Sequence, residues 1–118
     1  MRVLICGDRE YFDSVWIKEV LDDLNEYLGV DCVIEGECRG ADRAGRIAAE
    51  GLGIPVEPYP ADWDQYGKSA GPIRNRQMLK EGKPDLVLAF HSNIEKSKGT
   101  KDMIFAANKA GIQVRLYP

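Results

Sequence analysis

"PDLVLAFHSNIEKSKGTKDMIFAANKAGIQVRLY", residues 84–117, reads as one complete strand–helix–strand unit. Its opening, PDLVLAF (84–90), is a continuous apolar run with the length of a strand buried on both faces. The polar stretch HSNIEKSKGT follows, and Thr100 or Gly99 can start a helix that runs through Ala110. Gly111 caps that helix, and IQVRLY (112–117) is the next strand.

The same alternation extends back to the first residues. RVLIC (2–6) is a β-rich run, and after Gly7-Asp8-Arg9 either Asp13 or Ser14 can cap a helix. In that helix Ile17, Val20, Leu21, Leu24 and Leu28 recur at helical spacing until Gly29 closes it. DCVIE (31–35) is the second strand, followed by the loop GECRGAD and a helix with a small-residue face of Ala44, Ile47, Ala48 and Gly51. Gly53 ends that helix, and IPVEPY (54–59) reads as a proline-edged third strand. The longest irregular stretch, 60–70, leads into a helix beginning near Pro72. Strands alternating with helices about a dozen residues long imply βαβ units and a parallel sheet. With right-handed crossovers, 118 residues make a single-domain α/β three-layer sandwich around a central, mainly parallel, five-stranded sheet.

Composition narrows the function classes. Apolar content of 44% and charged content of 30% describe an ordinary globular protein. A formal net charge of −3 opposes a role that depends on gripping extended nucleic acid, which calls for a basic face. Cys6, Cys32 and Cys38 have no metal-ligand spacing and His91 is the sole histidine, so no metal site is expected. The first residues read as a strand rather than a signal peptide, and no apolar run approaches membrane-spanning length. A reducing, cytoplasmic setting without membrane partners is the expectation.

In sheets of this kind ligands bind beyond the carboxyl ends of the strands. That rule selects Gly7-Asp8-Arg9, Gly36 to Asp42, the run from Asp62 to Arg76, and His91 to Thr100. Glycines where strands end or helices begin let backbone N–H groups approach an anion without an intervening Cβ. No Walker loop and no GxGxxG fingerprint occurs, so no dinucleotide cofactor is expected. Arg39, Arg74 and Arg76 accompany the glycines, and a guanidinium in the first turn of a helix opposes the macrodipole unless it serves a bound anion. Salt-bridged arginines facing Asp62, Asp64 or Glu35 are the alternative. At helical spacing positions 74 and 76 diverge by about 200°, so Arg74 is the leading contact, with Asn75 or Gly71 as its second. Gly7, Asp8, Arg9, Gly36, Gly40, Lys98, Gly99 and Thr100 complete the expected phosphate site. Asp8 and Asp42 can contact ribose or cap helices, and Asp42 fits a cap or turn role better. Trp63 and Tyr66 can stack on a base or plug the long loop onto the core.

The order "GDRE", "GECRGADRAG", "PADWDQYGKSAGPIRNRQML", "PDLVLAF" and "KGTKDM" resembles the SLOG superfamily, and within it the small bacterial and phage branch related to YspA. The likeness covers nearly the whole chain. It implies a Rossmann-like fold whose pocket takes nucleotides or nucleotide-derived ligands, in a sensor or sequestering module. The superfamily also contains the lysine-decarboxylase-like phosphoribohydrolases, which cleave base from ribose phosphate with an arginine in an "RKxxM"-like motif and a glutamate in "PGGxGTxxE". Arg74 in "RNRQM" matches that arginine, whereas the glutamate position falls on Met103. A thioether cannot steady an oxocarbenium ion or act as a base, and His91-Ser92-Asn93 with the insert Ile94 to Ser97 stands where PGG would be. The resemblance therefore favours holding a phosphate over breaking a glycosidic bond. An N-glycosidase acting on nucleoside monophosphates would need Glu35, Glu37, Asp8 or Asp42 in the glutamate's place. Single-strand DNA binding, known in the DNA-processing members, is opposed by the acidic balance. Superfamily members commonly associate through helices flanking the sheet, so a homo-oligomer is a further expectation of the resemblance.

Overall fold

The computed structural model describes all residues, 1–118. Five strands, β1 (Arg2–Gly7), β2 (Cys32–Glu35), β3 (Val56–Pro58), β4 (Leu86–Phe90) and β5 (Gln113–Tyr117), form one sheet in the order β3-β2-β1-β4-β5. Every neighbouring pair is parallel, so the expectation of a mainly parallel sheet resolves to a wholly parallel one. Helices α1 (Ser14–Leu28) and α2 (Ala41–Gly51) cover one face, and α4 (Ala70–Gly82) and α5 (Gly99–Lys109) the other. A short helix, α3 (Trp63–Tyr66), precedes α4. This is the α/β, Rossmann-like arrangement that the sequence implies.

The two cores follow from strand alternation. Val3 and Ile5 of β1 join Leu86, Leu88 and Phe90 of β4 beneath Ile17, Leu21 and Leu24 of α1. Leu4 and Cys6 point the other way, onto Met78 of α4 and Met103 and Ala107 of α5. Burying one such aliphatic side chain contributes about 1.5–3 kcal/mol. Asp13 caps α1, accepting from the Trp16 N–H at 3.0 Å.

Several strands and helices start or end a residue or two from the sequence reading, and two stretches differ in more than that. The third strand shortens from 54–59 to Val56–Pro58, because Pro55 has no N–H to lend a ladder and Ile54 turns into the core instead. The stretch 60–70 is not irregular throughout: α3 and a 3-10 turn over Gly67–Ser69 lead directly into α4, which starts at Ala70. Pro72 is therefore the third residue of α4, where its missing N–H is still one that no helical carbonyl would have bonded.

Strand order reverses between β1 and β4: the chain winds from β1 through β2 to β3, then returns to β1's other side. Gly7 sits at that reversal, packed against β4. A Cβ there would fall on the Phe90 carbonyl, 2.9 Å from its carbon and 2.8 Å from the Ala41 Cβ. Gly7→Ala should lose about 1–3 kcal/mol in chemical denaturation, since the obstructing atom is backbone. Gly51→Ala, with nothing within 4 Å of its added methyl, should be neutral or stabilising in the same experiment.

Candidate functional site

Beyond the carboxyl ends of β1 and β4 lies a cleft of about 630 Å³. The first turns of α2, α4 and α5 all open onto it, through Asp42, through Gly71 to Arg74, and through Gly99 and Thr100. Three helix amino termini bring their positive dipole ends to one concavity, which suits an anion.

Arg74 forms part of its floor. Only 9% of the residue is exposed, and its Nη1 donates to the Gly36 carbonyl at 2.6 Å while Nε donates to Asn75 Oδ1 at 3.1 Å. Nη2 meets only the Cys38 sulfur, at 3.8 Å, which leaves strong donor capacity on the guanidinium. Asn75 is held in turn by the Gly99 carbonyl and Asp102 Oδ2, so α4 and α5 are linked directly below the cleft. Arg76 points elsewhere, into a two-pronged pair with Asp102 at 2.7 and 3.0 Å. That pairing, with Asn75 assisting, holds the Asp102 carboxyl below its usual range. The salt-bridge alternative thus describes Arg76, though with Asp102 as the partner.

The loop after β2 is built around Arg74. Asp42 caps no helix: Gly40 is the N-cap of α2, and the Asp42 carboxylate turns back to accept the Gly36 N–H at 3.0 Å. Gly36 is therefore pinned at both ends, and a Cβ on it would lie 2.8 Å from Arg74 Cζ. Glu37 adopts φ +57°, which brings its N–H onto the Glu35 carboxylate. A left-handed glutamate costs about 1 kcal/mol or more. Glu35 is fully buried and its Oε1 has no hydrogen-bond partner, so burial pushes its carboxyl up. Burial also raises Asp42, from 3.8 to about 7, against the opposing pull of Arg74.

Most of the residues singled out from sequence border this one cleft: Gly7, Asp8, Arg9, Arg39, Asp42, Trp63, Gly71, Arg74, Asn75, Lys98, Gly99 and Thr100. Gly36 and Gly40 do not line it. Gly40 instead permits the α2 turn to pass the β1 loop, where a Cβ would sit 2.5 Å from the Arg9 carbonyl. Tyr66 lies outside it as well, on the exposed end of α3. Trp63 does border the cleft, with the Arg9 guanidinium 5.8 Å above its ring, within cation–π range. Arg39 pairs with Glu10, and Thr100 takes its cap from Ser97 Oγ at 2.9 Å.

Sequence reasoning passed over Lys68, Lys96 and His91 as contacts, although all three line the cleft. His91 had a readable signal: it is the first residue past β4, at the strand-order reversal. Its Nδ1 accepts the Asn93 N–H at 3.0 Å, so the neutral ring carries its hydrogen on Nε2, 3.8 Å from Asp8 Oδ2. The lysines had none, because only the turns over 67–69 and 94–96 aim them inward.

The raised Asp42 carboxyl makes stability depend on pH. The folded state holds this proton more tightly than the unfolded chain does, so stability falls as pH rises from about 4 through 7. Asp42→Asn should flatten that slope in denaturation titrations, and Glu35→Gln should reduce what remains.

No helix of the chain is long and apolar enough to cross a membrane. The profile of the YspA, cpYpsA-related SLOG family matches residues 1–66. Beyond that segment, the "Gene 61 protein" of Mycobacterium phage D29 is 37% identical over 96% of this chain and 93% of its own length. The glycine-rich loop after β2, the Arg74 helix and the open cleft at the strand reversal thus sit in a chain that belongs to the YspA, cpYpsA-related SLOG family.

Proposed function

We propose that the cleft binds a phosphorylated nucleoside or another nucleotide-derived ligand, and that the chain acts as a sensor or sequestering module in the cytoplasm. SLOG membership itself points to nucleotide-related ligands in general. The observation that carries the finer reading is the Arg74 guanidinium, nearly buried at the foot of a cleft on which three helix amino termini open. A phosphate there would meet Arg74, the first-turn N–H groups of α4 and α5, and Lys98. Asp8 suits ribose hydroxyls, and Trp63 with Arg9 offers a flat surface for a base. The whole chain, 1–118, would serve as one ligand-binding domain.

Binding rather than turnover is the function favoured. By the resemblance to the phosphoribohydrolase motif, the glutamate's place falls on Met103, which is 1% exposed, and neighbouring Asp102 is ion-paired with Arg76. One observation supports a second reading, N-glycosidic hydrolysis of a nucleoside monophosphate. Asp42 lines the cleft beside Arg74 with a carboxyl at about 7, suited to donating or accepting a proton near neutrality.

Native mass spectrometry of freshly purified protein should find a co-purified nucleotide. In calorimetry with a nucleotide panel, Arg74→Ala should weaken the best binder by about 10- to 150-fold, the loss expected for a charge-assisted hydrogen bond. Unchanged affinity would remove Arg74 from the site. Incubation of the same panel should release no free base on chromatography; release that Asp42→Asn abolishes would establish the hydrolytic reading instead.

A further inference from the structure

The cleft holds more positive charge than a single phosphate engages. In a chain of net charge −3, Arg9, Arg39, Lys68, Arg74, Lys96 and Lys98 line it against Asp8, Glu10, Asp42 and Asp102. Arg39 is taken by Glu10, and Asp102 by Arg76 from outside the cleft. Asp42 accepts the Gly36 N–H beside Arg74, while Asp8 accepts the Glu10 N–H and faces His91 at 3.8 Å. Arg9 lies over the Trp63 ring. Lys68, Lys96 and Lys98 enter no salt bridge, and Glu95, the carboxylate next to Lys96 in sequence, is turned onto Lys101 at 3.5 Å.

These cations gather at the starts of two helices. Lys68 belongs to the 3-10 turn that leads into α4, whose opening residues include Gly71 and Arg74. Lys96 ends the 3-10 turn before α5, and Lys98 immediately precedes Gly99. Neither Gly71 nor Gly99 has a left-handed φ. An added Cβ would meet only the Trp63 ring, at 3.5 Å, on Gly71 and nothing within 4 Å on Gly99. The packing of the chain thus needs glycine at neither place, whereas a ligand approaching bare helix backbone does. Asn75 donates to the Gly99 carbonyl and to Asp102, which sets the two helix starts side by side.

We propose that the cleft takes two joined phosphoryl groups along the starts of α4 and α5, Arg74 and Lys98 holding one and Lys68 and Lys96 the other. The inference rests on the reading of this cleft as a nucleotide site and narrows the ligand class to nucleoside diphosphates. A single phosphoryl group brings about −1.5 to −2 charge at neutrality, which offsets Arg74 and Lys98 and leaves the other two lysines unmatched. A second group joined to the first meets that remaining pair.

Calorimetry with inorganic phosphate and inorganic pyrophosphate tests the two positions without regard to the base, and a panel of nucleoside mono- and diphosphates tests them with it. Pyrophosphate should bind at least about tenfold more tightly than phosphate, and the best nucleoside diphosphate by a similar margin over its monophosphate. Lys68→Ala/Lys96→Ala, both exposed positions, should abolish that margin and leave the monophosphate within about threefold of wild type. Arg74→Ala should weaken both. Thermal unfolding of the lysine variant that matches wild type would place its loss at the cleft. Equal affinity for mono- and diphosphate, or a lysine variant that weakens the two alike, would overturn the diphosphate and leave the nucleotide site standing. Pyrophosphate preferred over phosphate with no nucleotide bound would remove the nucleoside instead, and binding of no probe would overturn both.

Discussion

The organisation of this molecule depends on β1 being hydrogen-bonded on both edges, to β2 on one side and β4 on the other. A parallel strand buried on both faces must satisfy every backbone group through its neighbours, which forces RVLICG to the centre of the sheet. Because β2 and β4 leave that centre in opposite directions, their following loops diverge and open a crevice above Gly7. The Asp8 N–H then bonds the Phe90 carbonyl at 2.9 Å, while the Asp8 carbonyl accepts from both Tyr11 and Ala41 at 3.1 Å. One residue at the strand reversal thereby ties together the β1 loop, the start of α2 and the end of β4. The β1-loop, β4-end and α2-start residues of the cleft lining are positioned from that knot.

The second constraint is electrostatic. Arg74 brings a permanent charge to a nearly buried site, and two carboxyls, Glu35 and Asp42, lie close enough to feel it. Burial disfavours both anions, and Arg74 offsets only part of that penalty. The loop from Gly36 to Gly40 is folded so that its amides serve these carboxyls while its first carbonyl serves the arginine. A positive φ at Glu37 is the local cost of that exchange. The outcome is a floor rich in unspent donor capacity, which the helix amino termini above it reinforce.

How much of this was legible depended on the range of the interaction involved. The strands PDLVLAF and RVLIC were readable because burial on both faces demands an unbroken apolar run. The divergence of Arg74 and Arg76 followed from helix geometry, and the structure sends the first to the cleft and the second to Asp102. Of the cap and turn roles open to Asp42, the structure takes the turn: its carboxyl accepts from the Gly36 N–H in the loop before α2, while Gly40 stands at the cap. Trp63 borders the cleft whereas Tyr66, three residues further along α3, does not, and both rings are exposed rather than plugged onto the core.

The amino-acid sequence by itself determined the alternation of strands and helices, the wholly buried central strands, the carboxyl-edge loops and the family resemblance. Those properties rest on periodicity, turn chemistry and motif order, which act over a few residues at a time. Only the tertiary structure decided which charges face one another: the capture of Arg76 by Asp102, the retention of Arg74 beside Asp42, and the arrival of His91, Lys68 and Lys96 at the cleft. Such pairings join distant segments, 26 residues apart for Arg76 and Asp102 and 38 for Arg74 and Gly36, and no local rule carries information over those spans.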